Sequence, residues 1–246
     1  MPQDTAQIVS LPALLEKLAR AHRILALNGH VNMSLGHMSL RDPEGRGFWL
    51  KRSGLGFEEV GKNDFVLLDF DGQHIAGSGG RHSEWPIHAG IFKARPDIMC
   101  VVHSHPFQST VFSATDAELG CVCHEGVMLY DKVAYHRRTR GLIRTADQGR
   151  EMAELLGAKN VVLMKNHGMT SCGPSVEIAT LFAIFLERAS AAHLLAAASQ
   201  LPWSGPELEE LTEGGAARLE LPPPAIADFW NYFDRQLSRH EIGQAS

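Results

Sequence analysis

The 246-residue chain has no surplus of basic residues, because 23 lysines and arginines stand against 28 aspartates and glutamates. The net charge of −5 argues against a nucleic-acid binder, which usually has a clustered basic surplus. Cysteine is also scarce, and four cysteines do not make a disulfide framework in a chain of this length. We therefore interpret all four as reduced thiols and expect a cytoplasmic protein.

An export signal and a long uninterrupted apolar run are missing too. The segment from Met1 to Val9 has no basic stretch followed by an apolar core, so we expect no signal peptide. The most apolar predicted helix, 177–198, contains Glu187 and Arg188 and is expected to be too polar to span a bilayer. Histidine, by contrast, is abundant, with 13 residues. The functional question is therefore whether some of these histidines converge.

The hydrophobic pattern predicts a mixture of helices and strands. Apolar residues recur every three or four positions from Leu14 to Leu25, which is typical of an amphipathic helix. Glycine-separated segments between 31 and 76 indicate short strands, and the apolar runs 98–105 and 160–164 indicate strands buried on both faces. Further helices are predicted at 84–94 after an N-cap at Ser83, and at 145–156, 175–200 and 225–240. Because strands and helices do not alternate strictly, we predict an α/β fold with a mixed sheet.

Two histidines stand one residue apart in the first buried run, Val101-Val102-His103-Ser104-His105. Successive side chains of a strand alternate between faces, so His103 and His105 are predicted to point the same way. Two imidazoles arranged in this way can bind a divalent metal ion. The alternative is a pair of histidines that only form hydrogen bonds at the end of a strand.

A third imidazole follows the second buried run, where His167 lies in the turn Asn166-His167-Gly168. If the two buried strands are neighbours, their ends would bring three imidazoles around one ion. Three histidine ligands leave coordination positions open, which is typical of a catalytic metal site. Alternatively, His167 only caps its strand.

A carboxylate, Glu84, is predicted in the first turn of the helix that follows Ser83. In that position it would interact favourably with the helix dipole. The functional alternative is that Glu84 ligates the metal or transfers protons beside it. One turn later, His88 is predicted to be a buried, hydrogen-bonded residue and not a ligand.

Five motifs, in their order and spacing over about residues 14–195, resemble the class II aldolase/adducin family. They are Arg52-Ser53-Gly54, His82-Ser83-Glu84, Arg95-Pro96-Asp97, His103-Ser104-His105 and Asn166-His167-Gly168. The resemblance implies one three-layer α/β/α domain over residues 1–246, with a central mixed, largely antiparallel sheet and a C-terminal helical extension from about 202 to 246. It also implies a homotetramer with active sites at subunit interfaces. The implied ligands of one divalent ion (Zn, Mn, Co or Fe) are His103, His105 and His167, and the implied acid/base is Glu84.

The chain departs from the sugar-phosphate members of this family, which hold phosphate with a Gly-Asn-x-Ser motif, a Ser-Gly pair and a Ser-Ser pair. Here the first motif is Gly36-His37-Met38-Ser39 and the third is His82-Ser83, whereas Ser53-Gly54 is intact. Bulkier, partly charged imidazoles are expected to shrink a phosphate pocket and to suit a carboxylate on a flat aromatic ring. Charge-assisted hydrogen bonds to that carboxylate are predicted from His37, His82 and Arg52, in a site that also includes Ser53, Gly54 and Ser83. The alternatives are that Arg52 is a surface cation and that His37 is a strand residue packed on its neighbour.

The stretches 36–42 and 49–56 also resemble a decarboxylating branch of the family, which acts on hydroxylated aromatic acids such as 3,4-dihydroxyphthalate or on ring-cleavage acids. We therefore favour a metal-dependent decarboxylase of a small carboxylate in aromatic compound catabolism. The alternatives are an aldolase or epimerase of a sugar phosphate, an interaction module as in the adducin head, and iron-dependent oxygen activation. Tyr135 and the aromatic residues Trp230, Tyr232 and Phe233 are expected to serve packing or an interface.

Overall fold

The computed structural model describes residues 10–138, 141–207, 210–211 and 221–245. Eight strands within these ranges form one sheet: β1 His37–Arg41, β2 Phe48–Lys51, β3 Phe65–Leu68, β4 His74–Ala76, β5 Cys100–Ser104, β6 Val133–His136, β7 Val161–Met164 and β8 Gly168–Gly173. Their spatial order is β4-β3-β2-β1-β5-β8-β7-β6. Only β6 and β7 pair in parallel, so the sheet is mixed and largely antiparallel, as predicted.

Helices cover both faces of this sheet. Those of the described residues are α1 Leu11–Leu27, α2 Trp85–Ala94, α3 Phe107–Ser113, α4 His124–Met128, α5 Ala146–Leu156, α6 Val176–Ala198 and α7 Pro223–Ala245, with one 3-10 turn at Phe57–Glu59. The helices α2 and α5 enclose one apolar core with the sheet, and α1, α6 and α7 enclose a second core on the opposite face. These layers confirm the predicted three-layer α/β/α domain. The domain limits 1–246 stay a prediction, and the predicted extension 202–246 lies partly outside the described residues.

The strand β5 is central and buried on both faces, as its apolar sequence predicted. It lies between β1 and β8, and all five of its residues are buried. Val102 belongs to the core under α1 and α6, whereas Val101 belongs to the core under α2 and α5. By the alternation of a strand, His103 shares the α2 side with Val101. In the register of the sheet, His103 lies opposite His37 of β1 and Thr170 of β8.

The structure differs from one condition and from one prediction stated for the surroundings of His103. The second buried strand, β7, is not adjacent to β5, because β8 lies between them. His167 still reaches β5, since it lies in the turn from β7 to β8, and β8 pairs directly with β5. Ser83 is not the N-cap of α2 either. Glu84 occupies that position, and its side chain makes no capping hydrogen bond, so the carboxylate is directed elsewhere.

The helix α6 is, among the described residues, the one helix long and apolar enough to cross a membrane. Contrary to the prediction, Glu187 and Arg188 do not exclude a membrane span by composition. Burial decides the question, because 61% of the most apolar window of α6 is enclosed by the rest of the fold. The apolar sequence of α6 therefore reflects its place in the core of the domain.

His22 of α1 links the stability of this fold to pH. Its Nδ1 donates a hydrogen bond to the Leu18 carbonyl over 2.7 Å, and the Met38 amide donates to its Nε2 over 3.2 Å, so the buried ring must be neutral. Burial lowers the pKa of His22 to about 3. Below its unfolded pKa of about 6.5, the unfolded chain binds a proton that the folded protein does not, so stability falls as the pH falls from 6.5 towards 3.

We expect this histidine to remove about 1.4 kcal/mol from the free energy of unfolding for each pH unit in that window. Urea unfolding at pH 7.5 and pH 5.5 measures the loss. A His22→Gln variant should lose less stability over this interval than the wild type, by about 1.4 kcal/mol at pH 5.5. His74→Gln is the control, because His74 is exposed and should leave the pH dependence unchanged. An unaltered pH dependence in His22→Gln would contradict the assignment.

Candidate metal centre

His103 is oriented by the strand next to it. Its Nδ1 lies 3.0 Å from the carbonyl oxygen of Met169 and 3.2 Å from Thr170 Oγ1. A carbonyl oxygen only accepts, so Nδ1 carries the proton and Nε2 keeps a free lone pair. A hydrogen bond of this kind on the far nitrogen is the usual support of a histidine that ligates a metal. The hydrogen bond to β8 therefore orients the His103 ring and leaves the lone pair of Nε2 available to a metal ion.

His105 presents its ring to the same point. Its Nε2 lies 3.1 Å from Nε2 of His103, so the two residues do point the same way, as the alternation of the strand predicted. Two imidazole nitrogens at about 2.0–2.1 Å from a tetrahedral ion are themselves about 3.3 Å apart, which the observed separation matches closely. Burial and the neighbouring His103 lower the pKa of His105 to about 3, so its imidazole is neutral, the form that binds metals.

His167 completes a group of three imidazoles from the turn between β7 and β8. The next residue, Gly168, has a φ of 156°, and a Cβ there would lie 2.4 Å from the carbonyl oxygen of Ser104. Glycine therefore lets the turn approach the end of β5 closely. As a result, the His167 ring lies 5.0 Å, between centroids, from the rings of both His103 and His105. Its Nε2 is buried and has no hydrogen-bond partner among the described residues.

Glu84 adds a carboxylate to the three imidazoles. Its Oε2 lies 3.5 Å from His103 Nε2 and 3.6 Å from His167 Nε2, while its Oε1 accepts a 2.8 Å hydrogen bond from the Ile143 amide. Burial opposes ionisation of this carboxyl group, but the contacts with the two imidazoles outweigh burial and hold its pKa well below the ordinary value. The group is therefore a carboxylate at neutral pH. The absence of a capping bond argues against a purely structural role at the start of α2.

The four side chains fit one divalent ion. One ligand atom from each of Glu84, His103, His105 and His167 can be chosen so that all lie within 4.8 Å of one another. Three imidazoles with one carboxylate suit zinc, cobalt, manganese or iron. The residues that the sequence singled out at the end of one strand, in a turn and at the start of a helix thus meet at one point. Which of them ligate, and whether Glu84 does, stay predictions.

His37 and His82 form a second pair of imidazoles beside this centre. Their ring centroids are 4.4 Å apart, and the His37 ring lies 5.0 Å from that of His103. The Nε2 atoms of His37 and His82 are both buried without a hydrogen-bond partner among the described residues. Burial, and then the proximity of His82, place the pKa of His37 well below its ordinary value, whereas burial and Lys51 lower that of His82 to about 4. The partly charged imidazoles predicted from the sequence are therefore neutral.

Ser53 and Gly54 form the turn that follows β2. The Ser53 amide donates a 2.8 Å hydrogen bond to the Gly80 carbonyl, which ties this turn to the segment that carries His82. Gly54 has a φ of 90°, a conformation that favours glycine. Ser83 is exposed at the start of α2. The structure thus explains why these residues are near one another, and their contact with a substrate stays a prediction.

Two cations lie near the same turn. Arg52 Nε donates a 2.8 Å hydrogen bond to Asp64, so its guanidinium is already paired with a carboxylate of this chain. Lys51, which the sequence reading did not single out, is fully buried. Its Nζ donates to the carbonyl oxygens of Leu55 and Ser34, and burial lowers its pKa to about 8. The sequence offers one signal for this buried lysine. Lys51 lies in a strand of only four residues beside two glycine-rich turns, whose backbone carbonyl groups it can bind.

Tyr135 and the aromatic residues of α7 agree with the predicted packing roles. The Tyr135 hydroxyl accepts a 2.7 Å hydrogen bond from the Leu119 amide, and the Arg137 guanidinium lies 4.4 Å from the centroid of its ring. Phe233 is buried in the core under α1 and α6, whereas Tyr232 is half exposed. These aromatic residues therefore hold local structure.

Comparison with known proteins adds a family and several relatives. The sequence matches the family described as Class II Aldolase and Adducin N-terminal domain over residues 16–194. The chain is 32% identical to the 3,4-dihydroxyphthalate decarboxylase of Arthrobacter keyseri, with 94% of this chain and 93% of that protein covered.

Two solved structures share the fold over nearly the whole chain. An aldolase II superfamily protein from Pseudomonas syringae has a TM-score of 0.85 at 26% identity, over 97% of this chain and 98% of that chain. The L-fuculose 1-phosphate aldolase from Glaciozyma antarctica has a TM-score of 0.81 at 25% identity, over 99% of this chain and 96% of that chain. The relatives thus include a decarboxylase and a sugar-phosphate aldolase.

Proposed function

The chain belongs to the class II aldolase and adducin family, and we propose that it is a metal-dependent lyase that releases CO₂ from a hydroxylated aromatic acid or a related ring-cleavage acid. The 3,4-dihydroxyphthalate decarboxylase from Arthrobacter keyseri supports this choice, because its similarity extends over nearly both whole chains. The observation that carries the proposal is the pair His37 and His82 beside the candidate metal centre, where a phosphate cradle would have small polar residues.

The chemistry of the site suits the loss of a carboxylate from carbon. A divalent ion bound by His103, His105 and His167 would supply a Lewis acid that stabilises the negative charge left when the carbon–carbon bond breaks. Glu84 is ionised at rest, so its first role is to accept a proton, for example from a substrate hydroxyl. It then returns that proton to the carbon that lost CO₂, and the carboxylate is restored for the next cycle.

Substrate binding would use neutral donors and not positive charges. A substrate carboxylate has acceptor lone pairs only, and the buried Nε2 atoms of His37 and His82 lack partners within the described residues. Hydrogen bonds to an ionised acceptor are stronger than those between neutral groups. Arg52 contributes less than the sequence suggested, because Asp64 already neutralises it.

A sugar-phosphate aldolase is the second candidate. It is favoured by the intact Ser53-Gly54 turn and by the structural similarity to the L-fuculose 1-phosphate aldolase from Glaciozyma antarctica. Both reactions leave electrons for the same metal centre to stabilise, so the metal ligands do not distinguish them. The distinction lies in the histidine pair, since two imidazoles occupy the space that small polar residues leave open in a phosphate site.

A paired assay at fixed metal loading tests the choice of substrate. We expect CO₂ from at least one hydroxylated benzoate or phthalate, and no aldehyde from four- to six-carbon ketose phosphates. The double variant His37→Asn/His82→Ser should lose decarboxylation and keep its metal, because neither residue belongs to the metal cluster. Aldehyde release from a ketose phosphate by the wild type, without CO₂ from any aromatic acid, would replace the first candidate with the second.

Assembly and location complete the proposal. Two large apolar side chains close in sequence to site residues are exposed in the single chain. Met33, four residues before His37, is 73% accessible, and Phe107, two residues after His105, is 72% accessible, which supports burial against another subunit. We propose a homotetramer in the cytoplasm, where free thiols such as the four of this chain persist in reduced form. Light scattering of the purified protein measures the assembly directly.

A further inference from the structure

We infer that Ser39 and His88 act as positioning residues that hold His37 in the tautomer with its proton on Nε2, so that His37 donates a hydrogen bond to an anionic oxygen of the ligand. Neither Ser39 nor His88 belongs to the metal cluster or to the predicted substrate contacts. The tautomer is inferred from the direction of the hydrogen bonds among these three side chains. Its use in binding a substrate carboxylate rests on the proposed function.

The three side chains form a continuous hydrogen-bonded row under α2. Ser39 Oγ lies 2.6 Å from His88 Nδ1, and His88 Nε2 lies 2.6 Å from His37 Nδ1. His37 and Ser39 point to the same side of β1 because they are two residues apart in a strand. His88 reaches both from the middle of α2, and all three residues are fully buried. Because water does not reach these side chains, their polar atoms depend on one another for hydrogen bonds.

The direction of these hydrogen bonds follows from the proton on the serine. A buried hydroxyl that does not donate leaves an unsatisfied group, which costs free energy. Among the described residues, Ser39 Oγ has His88 Nδ1 as its one hydrogen-bond partner, so the hydroxyl donates to that nitrogen. Neutral His88 then carries its own proton on Nε2 and donates to Nδ1 of His37. With Nδ1 occupied as an acceptor, neutral His37 must carry its proton on Nε2.

Both rings are held neutral by their surroundings, as this row requires. Burial, followed by the nearby imidazoles, lowers the pKa of His37 and of His88 well below the ordinary histidine value. The outer end of the row is the buried Nε2 of His37, which has no partner among the described residues. A proton on this atom needs an acceptor, and an oxygen of a bound carboxylate can supply it. The opposite tautomer would present a lone pair there and repel the same oxygen.

Nitrogen-15 NMR of the histidine rings tests the tautomer without any assay of turnover. In zinc-loaded protein labelled at histidine, we expect the His37 resonances to report a protonated Nε2 and an unprotonated Nδ1. His37→Asn identifies the resonances by their loss. A His37 ring protonated on Nδ1 would overturn the inference, whatever the enzyme proves to catalyse. If the tautomer is as inferred and no CO₂ is released from any acid, the proposed function fails and the positioning role stands.

Two pairs of variants test whether the row matters for binding. Ser39→Ala removes the hydrogen-bond donor to His88. We expect KM for the acid that the enzyme decarboxylates, or Kd for phthalate measured by calorimetry, to rise about tenfold, while kcat changes less than about threefold. Ser39→Thr keeps the hydroxyl and should stay near the wild type. In the second pair, His88→Gln can still donate an amide proton to His37 Nδ1, whereas His88→Leu cannot.

Bound metal and the circular dichroism spectrum should be unchanged in all four variants. If Ser39→Ala and Ser39→Thr lose affinity equally, or His88→Gln and His88→Leu do so, the residues act only through packing and the inference is wrong. Should one pair fail to fold, the other still decides between these outcomes. Binding of inorganic phosphate is measured as a third comparison. Tighter binding of phosphate than of phthalate would indicate that His37 Nε2 donates to a phosphate oxygen, and it would overturn the assignment to a carboxylate.

Discussion

Alanine in place of His103, His105 or His167 is expected to weaken metal binding by at least about 100-fold, because even residues that only support a ligand contribute 10- to 100-fold to affinity. The three imidazoles converge with Glu84 so that one ligand atom of each lies within 4.8 Å of the others. Metal per subunit, measured by mass spectrometry after dialysis, should fall close to zero in the triple variant. Carbon–carbon lyase activity should fall with it.

Loss of metal must be separated from loss of fold. His74→Ala is the matched control, since it removes an exposed histidine from the edge strand β4 and should leave the metal content unchanged. The far-ultraviolet circular dichroism of the triple variant should resemble that of the wild type, because the strands β5 and β8 are held by their own backbone pairing. Full metal occupancy in the folded triple variant would disprove the ligand assignment.

Glu84→Gln is expected to lower kcat by about 100-fold or more, which is the usual contribution of general acid–base catalysis. The substitution is selective for chemical reasons. Glutamine keeps an oxygen that can accept the hydrogen bond from the Ile143 amide, now 2.8 Å long, so the local structure is retained. What disappears is the carboxylate, whose pKa the neighbouring imidazoles hold well below the ordinary value in spite of burial. The proton acceptor is therefore lost while the site stays in place.

Binding and turnover distinguish this role from a structural one. A substrate-like acid such as phthalate should bind the Glu84→Gln protein with an affinity within about threefold of the wild type, because the loss lies in the transition state and not in the ground state. The matched control is Glu177→Gln, which removes a partly buried carboxylate paired with Lys17 on another helix and should keep wild-type turnover. Turnover at the wild-type rate in Glu84→Gln would reduce Glu84 to a residue that positions Ile143.

Much of the fold follows from local patterns in the sequence. The run from Cys100 to Ser104 is too apolar for an exposed strand, and it forms the central strand. The helix predicted at 145–156 begins at its first residue, because the Thr145 side chain caps α5 and accepts a hydrogen bond from the Gln148 amide. An Asp-Gly turn at 71–72 joins β3 to β4 within the segment 31–76, where glycine-separated short strands were predicted. Such features depend on neighbours within a few residues, so a single sequence contains the information that specifies them.

The pairing of distant strands is different, because it depends on side chains far apart in the chain. His167 was predicted to meet His103 through neighbouring strand ends, yet β8 lies between β7 and β5, and the turn itself brings His167 into place. The sequence likewise placed Ser83 as the cap of α2. In the tertiary structure Glu84 occupies that position, and its carboxylate faces the Nε2 atoms of His103 and His167 at 3.5 and 3.6 Å.

By itself, the sequence determined which residues to expect together at the candidate metal centre, because an imidazole pair on one strand, a third in a turn and a carboxylate before a helix are recognisable from type and spacing. Only the tertiary structure decided the protonation of the neighbouring pair, His37 and His82. Burial makes His37 and His82 neutral where the sequence suggested partial charge, since desolvation penalises an ion whose partners are other imidazoles. It also decided that Ser39, 49 residues before His88 in the chain, is its hydrogen-bond partner, because that contact exists only once α2 packs on β1.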